Sequence, residues 1–146
     1  MSLRFQRANF VVADLPRALT FYRDVLGFAV TFTLGHNPDS YSIPVFAIPE
    51  GATLGFCVLS TDTQERVMAL TEVADVPLAP VPHPRRAAIV LDVPDPDTVM
   101  AGARALGLHV YEEAVLVTGD GRRGREIGIV DFDDNLVVIY RILEGA

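Results

Sequence analysis

The groups with which this 146-residue chain could hold a metal or move a proton are few: three histidines, one cysteine and nineteen carboxylates. His36 lies in the turn cluster Gly35-His36-Asn37-Pro38-Asp39 and His83 in a proline-rich stretch, and both read as solvated. His109 precedes Tyr111-Glu112-Glu113, so a His/Glu pair can be drawn, although charge on a strand surface is the plainer reading. No His-x-x-x-His, Cys-x-x-Cys or calcium-loop spacing occurs, so no metal site is read and no cofactor is implied. Cys57, flanked by Phe56 and Val58, reads as a buried, inert thiol. A lone cysteine cannot close an intrachain disulfide, which points to a reducing, cytoplasmic setting. No Ser/His/Asp arrangement stands out.

The cations are more informative. Arg7 lies within a short β-rich run, Phe5 to Val12, and the turn Gly119 to Gly124 carries Arg122 and Arg123, with Arg125 just beyond. That turn lacks the Lys-Ser/Thr of a phosphate loop and opens no helix, so it reads as a solvated hairpin tip. Twelve basic residues against nineteen acidic ones give a net charge of -7. Without a basic field to release counterions, nucleic acid is not an expected partner. No apolar run reaches the eighteen or more residues of a membrane span, and polar Arg4, Gln6 and Arg7 replace the apolar stretch of a signal peptide. The expectation is a cytoplasmic protein without membrane partners.

The elements that must position these groups repeat. Phe5 to Val12 reads as a strand, and Pro16 to Leu26 shows helical periodicity between Asp14, a start signal, and Gly27, a stop. Phe28 to Leu34, Tyr41 to Ile48 and Thr53 to Leu59 read as strands, with Pro44 marking the middle one as an edge or a bulge. Ala87 to Val93 then reads as a strand, and Asp95-Pro96 starts a helix that Gly107 ends. His109 to Val117, Arg125 to Val130 and Leu136 to Arg141 complete the order. Pro16, Leu26, Gly27 and Val30 recur as Pro96, Leu106, Gly107 and Val110, each eighty positions on. The reading is one domain over 1–146 built from two βαβββ modules, at about 4–60 and about 85–143. A linker of about 61–84 joins them, holding a short helix at 64–70 and a stiff run with Pro77, Pro80, Pro82 and Pro84.

The run Val12-Ala13-Asp14-Leu15, Ala18 and Phe21-Tyr22-Arg23-Asp24-Val25-Leu26-Gly27-Phe28 resembles the opening of a vicinal oxygen chelate module. That superfamily takes in glyoxalase I, bleomycin-resistance proteins and extradiol dioxygenases. Asp131-Phe132-Asp133-Asp134-Asn135-Leu136 is similar to its Asp-Pro-Asp-Gly-Asn-Leu signature, with Phe132 and Asp134 in place of Pro and Gly. The resemblance implies an α+β fold in which two βαβββ modules form one curved mixed sheet around a cleft, helices outside. Alternation would then put Ala8, Phe10 and Val12 under the helix and Arg7, Asn9 and Val11 on the concave face. In the last strand Val137 and Ile139 would face the helix, and Leu136, Val138 and Tyr140 the cleft.

Metal-dependent members, by the same resemblance, take His, Gln or Glu ligands from the first and last strands of each module. Those positions fall here on Arg7, Gly55, Ala87 or Ala88, and Val138. None offers imidazole or carboxylate, so the resemblance implies a member without the usual metal. Arg7 has three readings. It clamps an anion, pairs internally with Asp92, or points outward through a one-residue shift of register, and the internal pair is preferred. Phe32, Tyr41, Phe46, Phe56 and Tyr140 lie on the expected strands and suit a mostly apolar pocket. The candidate ligand-binding residues are Arg7, Asn9, Phe46, Phe56 and Tyr140. The expected partners are a small organic molecule and, as a homodimer, a second copy. The alternatives are a metal-dependent lyase, isomerase or dioxygenase with non-standard ligands, and a structural dimer whose cleft is filled.

Overall fold

The computed structural model describes residues 1–143, and the chain divides into two compact units, Met1–Ala79 and a second from Pro80 onward. The fold is α+β, with one mixed sheet in each unit.

In the first unit, strand β1 (Ala8–Val12) leads into helix α1 (Leu15–Tyr22). The Asp14 side chain accepts the Arg17 N–H at 2.9 Å, and Pro16 occupies the first turn, where no N–H is required. The helix is shorter than the periodicity predicts. Beyond Tyr22 the bonding widens to five-residue spacing, Asp24 N–H to the Leu19 carbonyl and Leu26 N–H to that of Phe21. Gly27, at φ +92°, then turns the chain into strand β2 (Ala29–Leu34). Helix α2 (Ser42–Val45) follows, then strands β3 (Thr53–Ser60) and β4 (Met68–Ala74). The sheet order is β1-β4-β3-β2, with β1 and β4 parallel and the other pairs antiparallel.

Two expectations are corrected here. Tyr41 to Ile48 is not a strand: it holds the single turn α2, closed by the Phe46 N–H to the Ser42 carbonyl at 2.9 Å. Pro44 has no N–H for a ladder but is tolerated in a first helical turn, so local bonding wins. Residues 64–70 are not a helix either. The Thr61 hydroxyl accepts the Gln64 N–H at 3.0 Å, a local turn that competes with helix formation, and the apolar run from Met68 becomes the central strand β4. Met68, Ala69 and Leu70 favour helix as single residues, but pairing with β1 on one side and β3 on the other overrides that weak preference.

The second unit repeats the plan. Strand β5 (Ala88–Asp92) precedes helix α3 (Pro96–Ala105), whose Asp95 caps the Thr98 N–H at 3.2 Å. Strands β6 (His109–Val110), β7 (Ala114–Val117), β8 (Arg123–Val130) and β9 (Leu136–Ile142) follow. The order is β5-β9-β8-β6, with β7 also paired to β8. The single strand predicted over 109–117 is therefore two. From Val110, opposite Ile129, to Ala114, opposite Glu126, one edge advances by one residue more than the other, and this bulge interrupts the ladder.

Each core is the helix-facing side of a sheet. Phe10 and Val12 are buried with Phe21 and Tyr22 of α1, and the Phe10 and Tyr22 rings lie 6.5 Å apart. In the second unit Ile127 and Ile129 of β8 are fully buried with Val137 and Ile139, as the alternation of β9 predicts, against the buried Val99 and Ala103 of α3. Burying one such side chain is worth roughly 1.5–3 kcal/mol, so these faces dominate the stability of both units.

Candidate functional site

Asn9 and Thr71 lie on the face of the first sheet opposite α1. Phe56 and Thr71 are directly paired across β3 and β4, and Leu34 is paired with Phe56 across β2, so the three share that face. Thr71, only 3% exposed, donates through its hydroxyl to Asn9 Oδ1 at 2.9 Å. That bond fixes the carboxamide, and its Nδ2 is left buried with no hydrogen-bond partner among the described residues. Beside this pair lies a pocket of about 220 Å³. Leu34, Leu54, Phe56 and Thr71 form its sheet side, and Asn37, Ser40 and Ser42 come from the loop and turn before β3. No charged side chain lines it.

Arg7 precedes β1 by one residue, where the Ala8 N–H continues the ladder to the Val67 carbonyl at 3.0 Å. It is half-buried, and among the described residues no carboxylate of its own unit pairs with it. Asp92, the internal partner preferred from sequence, has Arg141 of the second unit 3.8 Å away. Phe46 is not on a strand. It closes α2, is 44% exposed and does not line the pocket. Tyr41, at 79% exposure, caps the same turn, and Phe32 has the Arg66 guanidinium 5.6 Å from its ring centre. Tyr140 belongs to the second unit, directly between Asp92 of β5 and Glu126 of β8.

The second sheet has a wider, open depression of about 570 Å³, lined on its sheet side by Glu126, Gly128, Leu136 and Val138. At its rim Arg85 donates to Asp134 at 2.5 Å and to the Tyr111 hydroxyl at 3.0 Å, so this cation is spent internally. The signature turn is built on Asp131. Its carboxylate accepts the Asp133 and Asn135 N–H groups, each at 2.8 Å, and the Asn135 amide at 3.0 Å. Asp134, where the signature has Gly, holds φ +68°.

The arginine turn is also tied down. Arg125 is bound by Glu113 and Asp97, at 2.6 and 2.7 Å, which raise its pKa, Glu113 first. Arg122 pairs with Asp120 at 3.0 Å. Burial pushes the Cys57 thiol up, in keeping with an inert sulfur. His36 is not simply solvated. Its Nδ1 accepts the Leu54 N–H at 3.0 Å and extends the β2–β3 pairing past the end of β2. His83 lies 3.8 Å from Asp134, and His109 packs edge-on against Tyr111 at 4.4 Å.

The topology also revises the metal positions that the resemblance implies. The last strand of the first unit is β4, not β3, so Gly55 is not the counterpart of Val138. Asn9 pairs with Ala69 as Val90 pairs with Val138, which makes Ala69 the counterpart. The helix caps Asp14 and Asp95 stand 81 apart, so the counterpart of Arg7 is Ala88 rather than Ala87. Arg7, Ala69, Ala88 and Val138 supply no neutral nitrogen or carboxylate oxygen and do not fit a divalent cation. Among the described residues no three of His, Cys, Asp and Glu converge elsewhere.

Sequence reasoning missed Thr71 and the loop residues of the pocket. The available signal was the polar pair Thr71-Glu72 inside the otherwise apolar run 68–74, which alternation would have divided between the two faces had that run been read as a strand.

Two βαβββ units with parallel first and last strands define the class of protein, and the sequence agrees. The model of the Glyoxalase/Bleomycin resistance protein/Dioxygenase superfamily matches residues 4–139. The chain belongs to that superfamily. Among solved structures, it resembles a glyoxalase family protein from Bacillus cereus, with 17% identity, a TM-score of 0.75, and 98% of this chain and 96% of that one covered. It is also similar to the trypanothione-dependent glyoxalase I of Leishmania major, at 22% identity, TM-score 0.64 and coverage of 96% and 87%. A third is the fosfomycin resistance protein of Listeria monocytogenes, solved with Mn(II) and a sulfate ion, at 14%, 0.59, and 97% and 93%. At these identities the likeness shows the fold. No curated protein matches the chain. Among the described residues no helix is long and apolar enough to cross a membrane.

Proposed function

We propose that this protein binds a small organic molecule without a metal ion. The observation that carries the reading is the residue set at the four positions where the family resemblance puts metal ligands: Arg7, Ala69, Ala88 and Val138. Three cannot donate to a metal, and a guanidinium at the fourth repels one. The pocket beside Phe56 and Thr71, apolar with a few hydroxyl and amide groups, has the composition of a small-molecule site. At about 220 Å³ it would take one ring or short chain of a larger ligand rather than the whole.

The reading includes a cytoplasmic homodimer. Edge-strand residues such as Val90, 61% exposed, and Val115, 70% exposed, are apolar surface that a second copy would cover. Sedimentation equilibrium tests the pairing, and a concentration-independent monomer rejects it. Metal analysis of protein purified without chelator tests the rest: stoichiometric zinc, nickel, iron or manganese would sink the metal-free reading. A thermal-shift screen of small organic compounds should find ligands. One present at a hundred times its Kd adds about 2.7 kcal/mol to stability.

A further inference from the structure

We infer that the ligand carries an oxyanion, a carboxylate or a phosphono group, received by Arg7 and the Asn9 carboxamide. The inference rests on the small-molecule reading and gives it a chemical class. Two features, the Asn9 carboxamide and the Arg7 guanidinium, converge on one face of the first sheet. Asn9 Nδ2 is a buried donor with no acceptor, which a folded protein seldom tolerates without a use. Its orientation is set from behind, because Thr71 donates to Oδ1 and so holds the amide with its N–H groups turned away from that bond. Arg7 stands two residues earlier on the same side of the chain, about 7 Å along by strand geometry, and no carboxylate of its unit neutralises it.

This corner therefore offers a fixed amide donor and a guanidinium fork, and among the described residues no acceptor for either. A planar or tetrahedral oxyanion supplies the missing acceptors: one oxygen for Nδ2 and the others for the paired guanidinium N–H groups. Nδ2 is shielded in the free protein, so binding requires a side-chain movement. Arg7, long and flexible, can swing with the anion it pairs. The apolar pocket beyond Thr71 then takes the uncharged remainder, since it has no charged side chain to compensate a buried ion.

The test titrates the intact protein with benzoate, phenylphosphonate and benzyl alcohol, which share a ring and differ in head group. Affinity is followed by NMR, together with the side-chain Nδ2 resonances of Asn9 and the Nε resonance of Arg7. One of the two anions should bind at least about tenfold more tightly than benzyl alcohol, since a hydrogen bond to a charged group is worth about 1.5–3 kcal/mol. Both side-chain resonances should move with that anion. Whichever of benzoate and phenylphosphonate is preferred identifies the head group. Asn9→Asp, a near-isosteric change that turns the donor into a like charge, and Arg7→Ala should each bring the anion-to-alcohol ratio toward one. Equal binding of anion and alcohol, or unmoved Asn9 and Arg7 resonances, would overturn the oxyanion site while leaving small-molecule binding intact. Failure of all three probes, and of every compound in the wider screen, would count against the underlying reading itself.

Discussion

The buried Asn9–Thr71 pair permits a calculation that separates function from stability. Thr71→Val keeps the shape of the side chain but removes the donor to Asn9 Oδ1, leaving both ends of a carboxamide unpaired where only Nδ2 was before. An unsatisfied buried polar group costs about 1–3 kcal/mol, so the variant should lose about 2 kcal/mol. With an m-value of about 2 kcal/mol/M, the urea midpoint should fall by roughly 1 M. Asn9→Leu removes the orphaned donor and strands the Thr71 hydroxyl, two effects of similar size and opposite sign, so its stability should change little. The double variant has no unpaired group and should match or exceed the parent protein, giving a coupling of about 2 kcal/mol. Because the chain contains no tryptophan, far-UV circular dichroism is the suitable probe, with m-values compared to confirm that the transition is unchanged. A double variant destabilised by the sum of the single effects would refute the pairing. A double variant that is stable but no longer binds anions would mean the protein keeps a costly group for its ligand.

Other outcomes follow from single contacts. Asp131→Ala strands the N–H groups of Asp133 and Asn135 and should cost about 3 kcal/mol in a urea titration, whereas a change below 1 kcal/mol would show that water replaces the carboxylate. His36→Ala removes the acceptor of the Leu54 N–H and should cost about 1–2 kcal/mol. The Leu54 amide should then exchange faster with solvent. Gly35 and Asn37 line the pocket beside Thr71 while His36 lines the far side of the same loop, so probe binding in that pocket should weaken too. The Asp120 carboxyl, held down to about 2 by the Thr118 hydroxyl and then by Arg122, should titrate near that value by NMR. Its pKa is lower in the folded state, so its small contribution to stability is present above an ordinary carboxyl pKa of about 4 and is lost as the pH falls through about 2. Thr118→Val should raise the midpoint, and an unchanged titration would remove the hydroxyl as the main cause.

How much of this was legible in the sequence can be traced through particular residues. Asp14, Pro16 and Gly27, and Asp95, Pro96 and Gly107, marked α1 and α3 because caps and stops act locally. The two buried faces were legible too, since alternation in Phe10 and Val12 and in Val137 and Ile139 needs no partner to be seen. What failed was whatever depended on a distant strand. Met68–Ala74 has helix-favouring residues and becomes the centre of a sheet only because β1 and β3 pair with it. Tyr41–Ile48 alternates well enough for a strand but has no neighbour to bond, so a local turn takes it.

The sequence by itself therefore determined the repeat, helices α1 and α3, the α+β class, the family resemblance and the scarcity of metal-binding side chains, because these depend on residue identity and short-range spacing. Only the tertiary structure decided which strand closes the first sheet. With it came the replacement of Gly55 by Ala69 as the counterpart of Val138, the bonding of His36 to Leu54, and the juxtaposition of Asn9, Thr71 and Phe56. These are long-range pairings, paid for in loop closure and repaid only by burial across the whole sheet, and no local pattern encodes them.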